Sequence, residues 1–126
     1  MDAQKFTQKS LEAIKSAQNI AVENQSAQIE EEHLILALLK QEDSLIKELF
    51  DKMGVPKSFE EDIQRKVENN PKMVGTSRRA DAIYVSQDVD MVLTISEKIA
   101  DKMKDEYVSV EHIMLAIFDN PSSKIR

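Results

Sequence analysis

The sequence contains no cysteine and no tryptophan, and it has only two glycines and three prolines among 126 residues. Without cysteine, disulfides, thiol catalysis and cysteine-ligated zinc are excluded. Two glycines are too few for a GxxxxGK or GxGxxG phosphate-binding loop or a GxSxG nucleophile turn, and none of these motifs occurs. The sequence therefore predicts a domain that has no catalytic site and holds neither a metal nor a cofactor.

Long apolar runs are also missing. No stretch approaches the roughly 20 apolar residues that span a bilayer, and the first residues lack the layout of a secretory signal. We therefore expect a cytoplasmic protein without membrane contact. Basic residues number 17 against 23 acidic ones, and the resulting net charge of -6 opposes binding to phosphate backbones. Nucleic acid is not expected as a partner.

Residues that favour helices are abundant, whereas aromatic residues make up only 5% of the chain. A chain of this length has the size of one domain and can bury about two thirds of its unfolded surface. Composition thus predicts a single all-α domain that folds without a metal or a disulfide.

The sequence also repeats itself, without gaps, at an offset of 79 residues, which pairs Gln8 with Gln87. The same offset aligns Glu32-His33 with Glu111-His112, and conservative apolar pairs fill the intervening positions. This self-similarity predicts two copies of one helical unit. Repeat 1 covers about residues 6–70, a linker about 71–84, and repeat 2 about 85–126. The second copy ends before its third and fourth helices, so we expect either that the chain is a fragment or that its ordered part ends early.

Each unit is predicted to open with a long helix whose buried residues recur every three or four positions. Thr7 and Ser86 stand where their hydroxyls can cap these helices. The predicted stripes are Ser10, Ala13, Ile14, Ala17, Ile20 and Ala21 in the first copy, and Val89, Val92, Leu93, Ser96, Ile99, Ala100 and Met103 in the second.

The second helix of each unit carries six consecutive apolar residues, 34–39 and 113–118, which predicts a helix covered on nearly every side. Ser109 is a good N-cap for the later copy, and Glu30 a weaker one for the earlier copy. A third helix is expected between Ser44 and Gly54. It would bury one face made of Leu45, Ile46, Leu49, Phe50 and Met53, and a fourth helix would bury Phe59, Ile63 and Val67.

One motif occurs twice, each time after the predicted long helix. Its copies are Ile29-x-x-Glu32-His33-Leu34-x-Leu36-Ala37-Leu38-Leu39 and Val108-x-x-Glu111-His112-Ile113-x-Leu115-Ala116-Ile117. This doubling resembles the double Clp N-terminal repeat over almost the whole chain. Within that family the stretches Gly75-Thr76, Val85-Ser86-Gln87-Asp88 and Val92-Leu93 are more similar to the ClpB branch than to ClpA or ClpC.

The resemblance implies a pseudo-twofold helical bundle at the front of a hexameric AAA+ disaggregase that acts in the stress response with the DnaK chaperone system. The implied role is to bind unfolded or aggregated polypeptide through an apolar groove and to feed it to the AAA+ ring. ATP and Mg are then expected only in ATPase modules beyond residue 126, and the isolated domain is expected to be a monomer. The alternative is a module that docks a folded adaptor protein.

The resemblance also associates particular positions with binding of unfolded polypeptide: Thr7, Leu93, Asp105, Glu111 and His112. Each of the first four has a structural interpretation beside the functional one. Thr7 is an N-cap by pattern, and Leu93 lies on a buried stripe. Asp105 lies between two helices and Glu111 in the first turn of the next, where negative charge complements the helix dipole. His112 stands where ClpB domains can carry leucine, which implies a more polar and pH-sensitive groove. Its repeat equivalent His33 belongs to no metal-binding motif.

Overall fold

The computed structural model describes residues 2–42, 44–70 and 84–119. In these ranges the chain forms α-helices and one short 3-10 turn, Ala3–Lys5, which confirms the predicted all-α class. The α-helices are α1 (Gln8–Glu23), α2 (Glu31–Lys40), α3 (Leu45–Met53), α4 (Ser58–Glu68), α5 (Gln87–Lys102) and α6 (Val110–Asp119). Of the predicted linker, 71–84, only residue 84 lies within the described ranges. Residues 120–126, at the end of the second repeat, lie outside them.

Two short parallel bridges join the repeats, one between Phe6 and Val108 and the other between Ile29 and Val85. The offset of 79 converts one bridge into the other, since it carries Phe6 to Val85 and Ile29 to Val108. In each bridge the segment ahead of one repeat's first helix pairs with the segment ahead of the other repeat's second helix. The two units are therefore related by a pseudo-twofold axis, as the repeat predicts.

The hydrophobic core lies where α1 packs against α2, α5 packs against α6, and the two pairs meet. Small residues on the inner side of α1, such as Ala13 and Ala17, are fully buried and allow close approach of the neighbouring helices. Most residues of the predicted stripes of α1 and α5 are buried, and Ile14, Ile20 and Ile99 are half-buried against the core. Met103 is exposed because it lies at the C-cap, past the last turn.

Hydroxyl N-caps begin three of the helices as the sequence predicts. Thr7 accepts from the Ser10 N–H, Ser44 from the Lys47 N–H and Ser86 from the Val89 N–H. Each oxygen satisfies an amide donor that the first helical turn leaves unpaired. The first residues of α1, α3 and α5 are thereby fixed in position.

The C-terminal ends of α1 and α5 share a backbone conformation that was not predicted from the sequence. Gln25 and Lys104, equivalent in the repeat, adopt left-handed backbone conformations with φ of 56° and 60°. The Asp105 N–H, directly after Lys104, donates to the Ala100 carbonyl. The Ser26 N–H, directly after Gln25, donates to the Ala21 carbonyl. Both ends are thus Schellman motifs built without glycine.

Two predicted burial patterns are wrong. On α3 only Ile46 and Phe50 are buried, whereas Leu45, Leu49 and Met53 are exposed, because α3 contacts α2 and α6 through one narrow side. The six-residue apolar run of α2 is fully buried, as expected, but the equivalent run of α6 is not. The reason is that α4 packs on α2, while no described helix takes the corresponding place on α6.

The strained end of α5 yields a stability prediction. Replacing Lys104 with glycine should raise the free energy of unfolding by about 0.5–1 kcal/mol, since glycine adopts positive φ without the steric cost that other residues bear. Lys104→Ala is the matched control and should give no gain, because alanine keeps that cost. Urea unfolding followed by circular dichroism measures both, and an equal response of the two variants would contradict the argument.

Candidate functional site

Thr7 lies at the junction of the repeats. Its N–H donates to the Val108 carbonyl over 3.0 Å, and its hydroxyl donates to the Ser10 hydroxyl, which in turn donates to the same carbonyl over 2.9 Å. Thr7 is half-buried, and the structure confirms it as the N-cap of α1. Its side chain therefore fixes the start of α1 against the second repeat, and its contact with a bound chain stays a prediction.

Asp105 and His112 are in direct contact. The distance from His112 Nε2 to Asp105 Oδ2 is 2.8 Å. His112 is 4% exposed, whereas the side chain of Asp105 is 48% exposed. The pair lies three and four residues from Val108 on either side, so it sits next to the bridge that anchors Thr7. The structure thus joins Asp105 to His112, and Val108, which lies between them in the sequence, is hydrogen-bonded to Thr7.

The imidazole of His112 also caps the N-terminus of α6. Its Nδ1 accepts the Ser109 N–H over 2.9 Å, and in the first repeat His33 Nδ1 accepts the Glu30 N–H over 2.8 Å. In both helices a histidine at the third position thus performs the part that glutamate or glutamine performs in an ordinary capping box. The equivalence of His33 and His112 is explained by helix capping, and within the described ranges no group of three acidic or histidine side chains could hold a metal.

Glu111 is exposed in the first turn of α6, although its repeat equivalent Glu32 is buried. One and two turns further along the same side lie Leu115 and Phe118, which are 43% and 45% exposed. Their equivalents Leu36 and Leu39 on α2 are 2% and 4% exposed. We call Glu111, Leu115 and Phe118 the α6 outer face; it is an apolar strip with a carboxylate at its beginning.

Leu93 lies apart from this surface. It is buried on α5 together with Val89 and Val92, facing the core. Its side chain contributes to the packing of α5 in this structure, and a role in contacting a bound chain would require it to become exposed.

A cleft of about 290 Å³ lies between α3 and α4. Phe50 forms part of its wall, and the ring of Phe50 lies 5.6 Å from that of Phe59 and 5.8 Å from that of Phe118. The Lys47 ammonium approaches the Glu60 carboxylate to 3.8 Å at the rim. The buried ring of Phe50 contacts both Phe59 and Phe118, so one aromatic cluster joins the cleft of the first repeat to the α6 outer face.

The sequence does not predict the exposure of Leu115 and Phe118. It also does not single out Tyr107, which is half-exposed beside the Val108 bridge. A six-residue apolar run predicts complete burial, and nothing in the run itself distinguishes α2 from α6. The difference lies in tertiary packing, since α4 lies on α2 and no helix of the described residues lies on the same side of α6. In the described part of the chain no helix is long and apolar enough to cross a membrane.

The chain matches a known family and is similar to known proteins and solved structures. The family model described as the Clp repeat (R) N-terminal domain matches residues 5–126. The chaperone protein ClpB of Nitratidesulfovibrio vulgaris is 40% identical over 126 residues, which are 99% of this chain and 15% of that protein. The chain therefore spans about 15% of the length of the curated relatives it matches.

Among solved structures, the Hsp104 N-terminal domain from Candida albicans is similar with a TM-score of 0.82 and 26% identity, covering 92% of this chain and 75% of that one. The N-terminal domain of the ClpV1 ATPase from E. coli has a TM-score of 0.81 at 19% identity, covering 98% and 72%. At that identity the second likeness concerns the fold alone.

The unequal burial of repeat-equivalent residues predicts unequal effects of the same substitution. Leu36→Ala should cost about 2–5 kcal/mol of unfolding free energy because it leaves a cavity in the core. Leu115→Ala should cost less than about 1 kcal/mol, as is usual away from the core. Urea denaturation measures both, and similar losses at the two positions would show that Leu115 is covered.

Proposed function

The chain belongs to the family of Clp repeat N-terminal domains, and on that basis we propose that it is the client-binding domain of a ClpB-type ATP-dependent disaggregase. In this function the domain binds unfolded or aggregated polypeptide and delivers it to the AAA+ ring of its parent protein. The parent would act as a hexamer in the cytoplasm with the DnaK chaperone system. ATP and Mg would bind to the ring and not to this domain.

The observation that supports client binding is the exposure of the α6 outer face. Leu115 and Phe118 present aliphatic and aromatic surface to solvent, and covering such surface contributes about 25 cal/mol per Å². The face is small, so we expect weak binding by a single domain. Six copies around a ring would raise the effective concentration while each contact still releases quickly.

The first repeat indicates which client segments this face suits. There α4 packs on α2 and buries Ile63 and Val67, which lie four residues apart. We expect a client segment whose apolar residues recur every three or four positions, such as an amphipathic helix, to pack on the equivalent side of α6 in the same way. Glu111 and Asp105 at the beginning of the strip favour segments that carry hydrogen-bond donors or positive charge there.

The alternative function is the docking of a folded adaptor protein. The observation that favours it is the same helical shape, since an adaptor could present an ordered helix to α6 as α4 is presented to α2. An adaptor would form a saturable one-to-one complex that unfolded protein does not displace. Client binding instead predicts that unrelated unfolded chains compete with one another.

A substitution on the α6 outer face tests the proposal. Fluorescence anisotropy would measure binding of labelled, reduced and carboxymethylated lysozyme, which stays unfolded, to the 126-residue chain. Leu115→Ser combined with Phe118→Ser should weaken binding about fivefold or more, because the apolar contact area is lost.

The matched control is Leu45→Ser with Met53→Ser, which removes equally exposed apolar residues from α3. This control should bind as the unaltered chain does, and circular dichroism should show that both variants are folded. Absence of binding by the unaltered chain, or equal loss in both variants, would refute client binding through the α6 outer face.

A further inference from the structure

The imidazole of His112 is held between two partners with different requirements. A backbone N–H can only donate, so the contact from Ser109 N–H to Nδ1, at 2.9 Å, requires an unprotonated Nδ1. The proton of the neutral ring then lies on Nε2 and is donated to Asp105 Oδ2 over 2.8 Å. The start of α6 thereby selects the tautomer that can hold the carboxylate.

Asp105 is fixed through its backbone as well as its side chain. Its N–H closes the Schellman motif at the end of α5 by donating to the Ala100 carbonyl over 2.9 Å. The preceding residue, Lys104, has the left-handed conformation that the motif requires. With one oxygen occupied by His112 and half of the side chain exposed, the carboxylate keeps acceptor capacity for a bound chain.

The first repeat contains the capping half of this arrangement, with a different residue at the position of Asp105. His33 accepts the Glu30 N–H just as His112 accepts that of Ser109. At the position of Asp105, however, stands Ser26, which is buried and donates its hydroxyl proton to the Gln28 carbonyl. Helix capping thus accounts for the imidazole in both repeats, and the exposed carboxylate at position 105 distinguishes the second repeat from the first.

We propose that His112 does not itself contact a bound polypeptide but is a positioning residue that holds the Asp105 carboxylate in place to accept hydrogen bonds from it. This inference rests on the proposed client binding and assigns separate roles to two residues of that site. A carboxylate held by a buried donor loses less side-chain entropy on binding than a free one would.

The matching group on the bound chain is an N–H donor, and arginine or lysine side chains suit it best. Beside Asp105 lies a cavity of about 110 Å³ in which carboxylates outnumber ammonium groups by four to two. Its ionisable residues are Lys5, Glu97, Lys98, Asp101, Asp105 and Glu106. The excess of carboxylates around this cavity therefore favours bound chains that carry a cationic side chain next to the apolar residues that pack on the α6 outer face.

A double-mutant cycle tests the positioning role. Binding of labelled, reduced and carboxymethylated lysozyme would be compared for His112→Gln, Asp105→Asn and the double variant. Glutamine at this position can still cap α6, so the variant removes chiefly the contact with Asp105. Each single substitution should weaken binding about 3- to 10-fold, the usual effect of one hydrogen bond to a charged group. The double variant should be no weaker than Asp105→Asn alone.

His33→Gln is the control, since it alters the same capping position in the repeat that has Ser26 in place of Asp105, and it should leave binding unchanged when the protein is folded. If His112→Gln and Asp105→Asn have additive effects, or if His33→Gln weakens binding as much, the positioning role is refuted while client binding stands. If the unaltered chain does not bind the unfolded probe, both proposals fail together.

The contact itself is tested without any ligand by the ¹⁵N chemical shifts of the imidazole. The shifts should show a proton on Nε2 and an acceptor at Nδ1 in His112, and Asp105→Asn should move the Nε2 resonance of His112 but not that of His33. A His112 ring protonated on Nδ1, or one that does not respond to Asp105→Asn, would overturn the proposal.

Discussion

Four backbone hydrogen bonds between the repeats set the architecture on which the rest depends. Thr7 donates to Val108, Val108 donates to Lys5, and the equivalent pair joins Ile29 with Tyr84 and Ser86. These bonds fix the start of each long helix beside the start of the other repeat's second helix. Because one repeat alone would leave the inner sides of its helices exposed, the bridges and the core between the helix pairs stabilise each other.

The residues that we propose to bind polypeptide are those at which the two repeats differ in exposure or in charge. The offset of 79 relates buried Leu36 to exposed Leu115 and buried Ser26 to exposed Asp105, although the backbones around both pairs are alike. The first repeat uses its second helix to hold the core together. Among the described residues, one side of the equivalent helix in the second repeat is exposed, with the carboxylates of Asp105 and Glu111 at its beginning.

The sequence predicts most of the helices because their signals are local. Periodic apolar residues and the hydroxyls of Thr7, Ser44 and Ser86 determine where helices begin, and the structure confirms them. Exposure was harder to predict, because it depends on which helix packs against which. The open sides of α3 and α6 and the contact between Asp105 and His112 depend on chain segments far from one another or on a loop conformation without glycine. The polypeptide-binding roles of Thr7, Leu93, Asp105, Glu111 and His112 came from resemblance and stay predictions.

The most direct test of the account is to map, by amide and methyl chemical shifts, where an unfolded chain touches this domain. Reduced and carboxymethylated lysozyme would be titrated into the isotope-labelled 126-residue protein. The account predicts that the shifts concentrate at Leu115, Phe118 and the amides of 105–112, and that the buried equivalents Leu36 and Leu39 do not respond. Shifts centred on the solvent side of α3, at Leu45 and Met53, or no shifts at all, would contradict it.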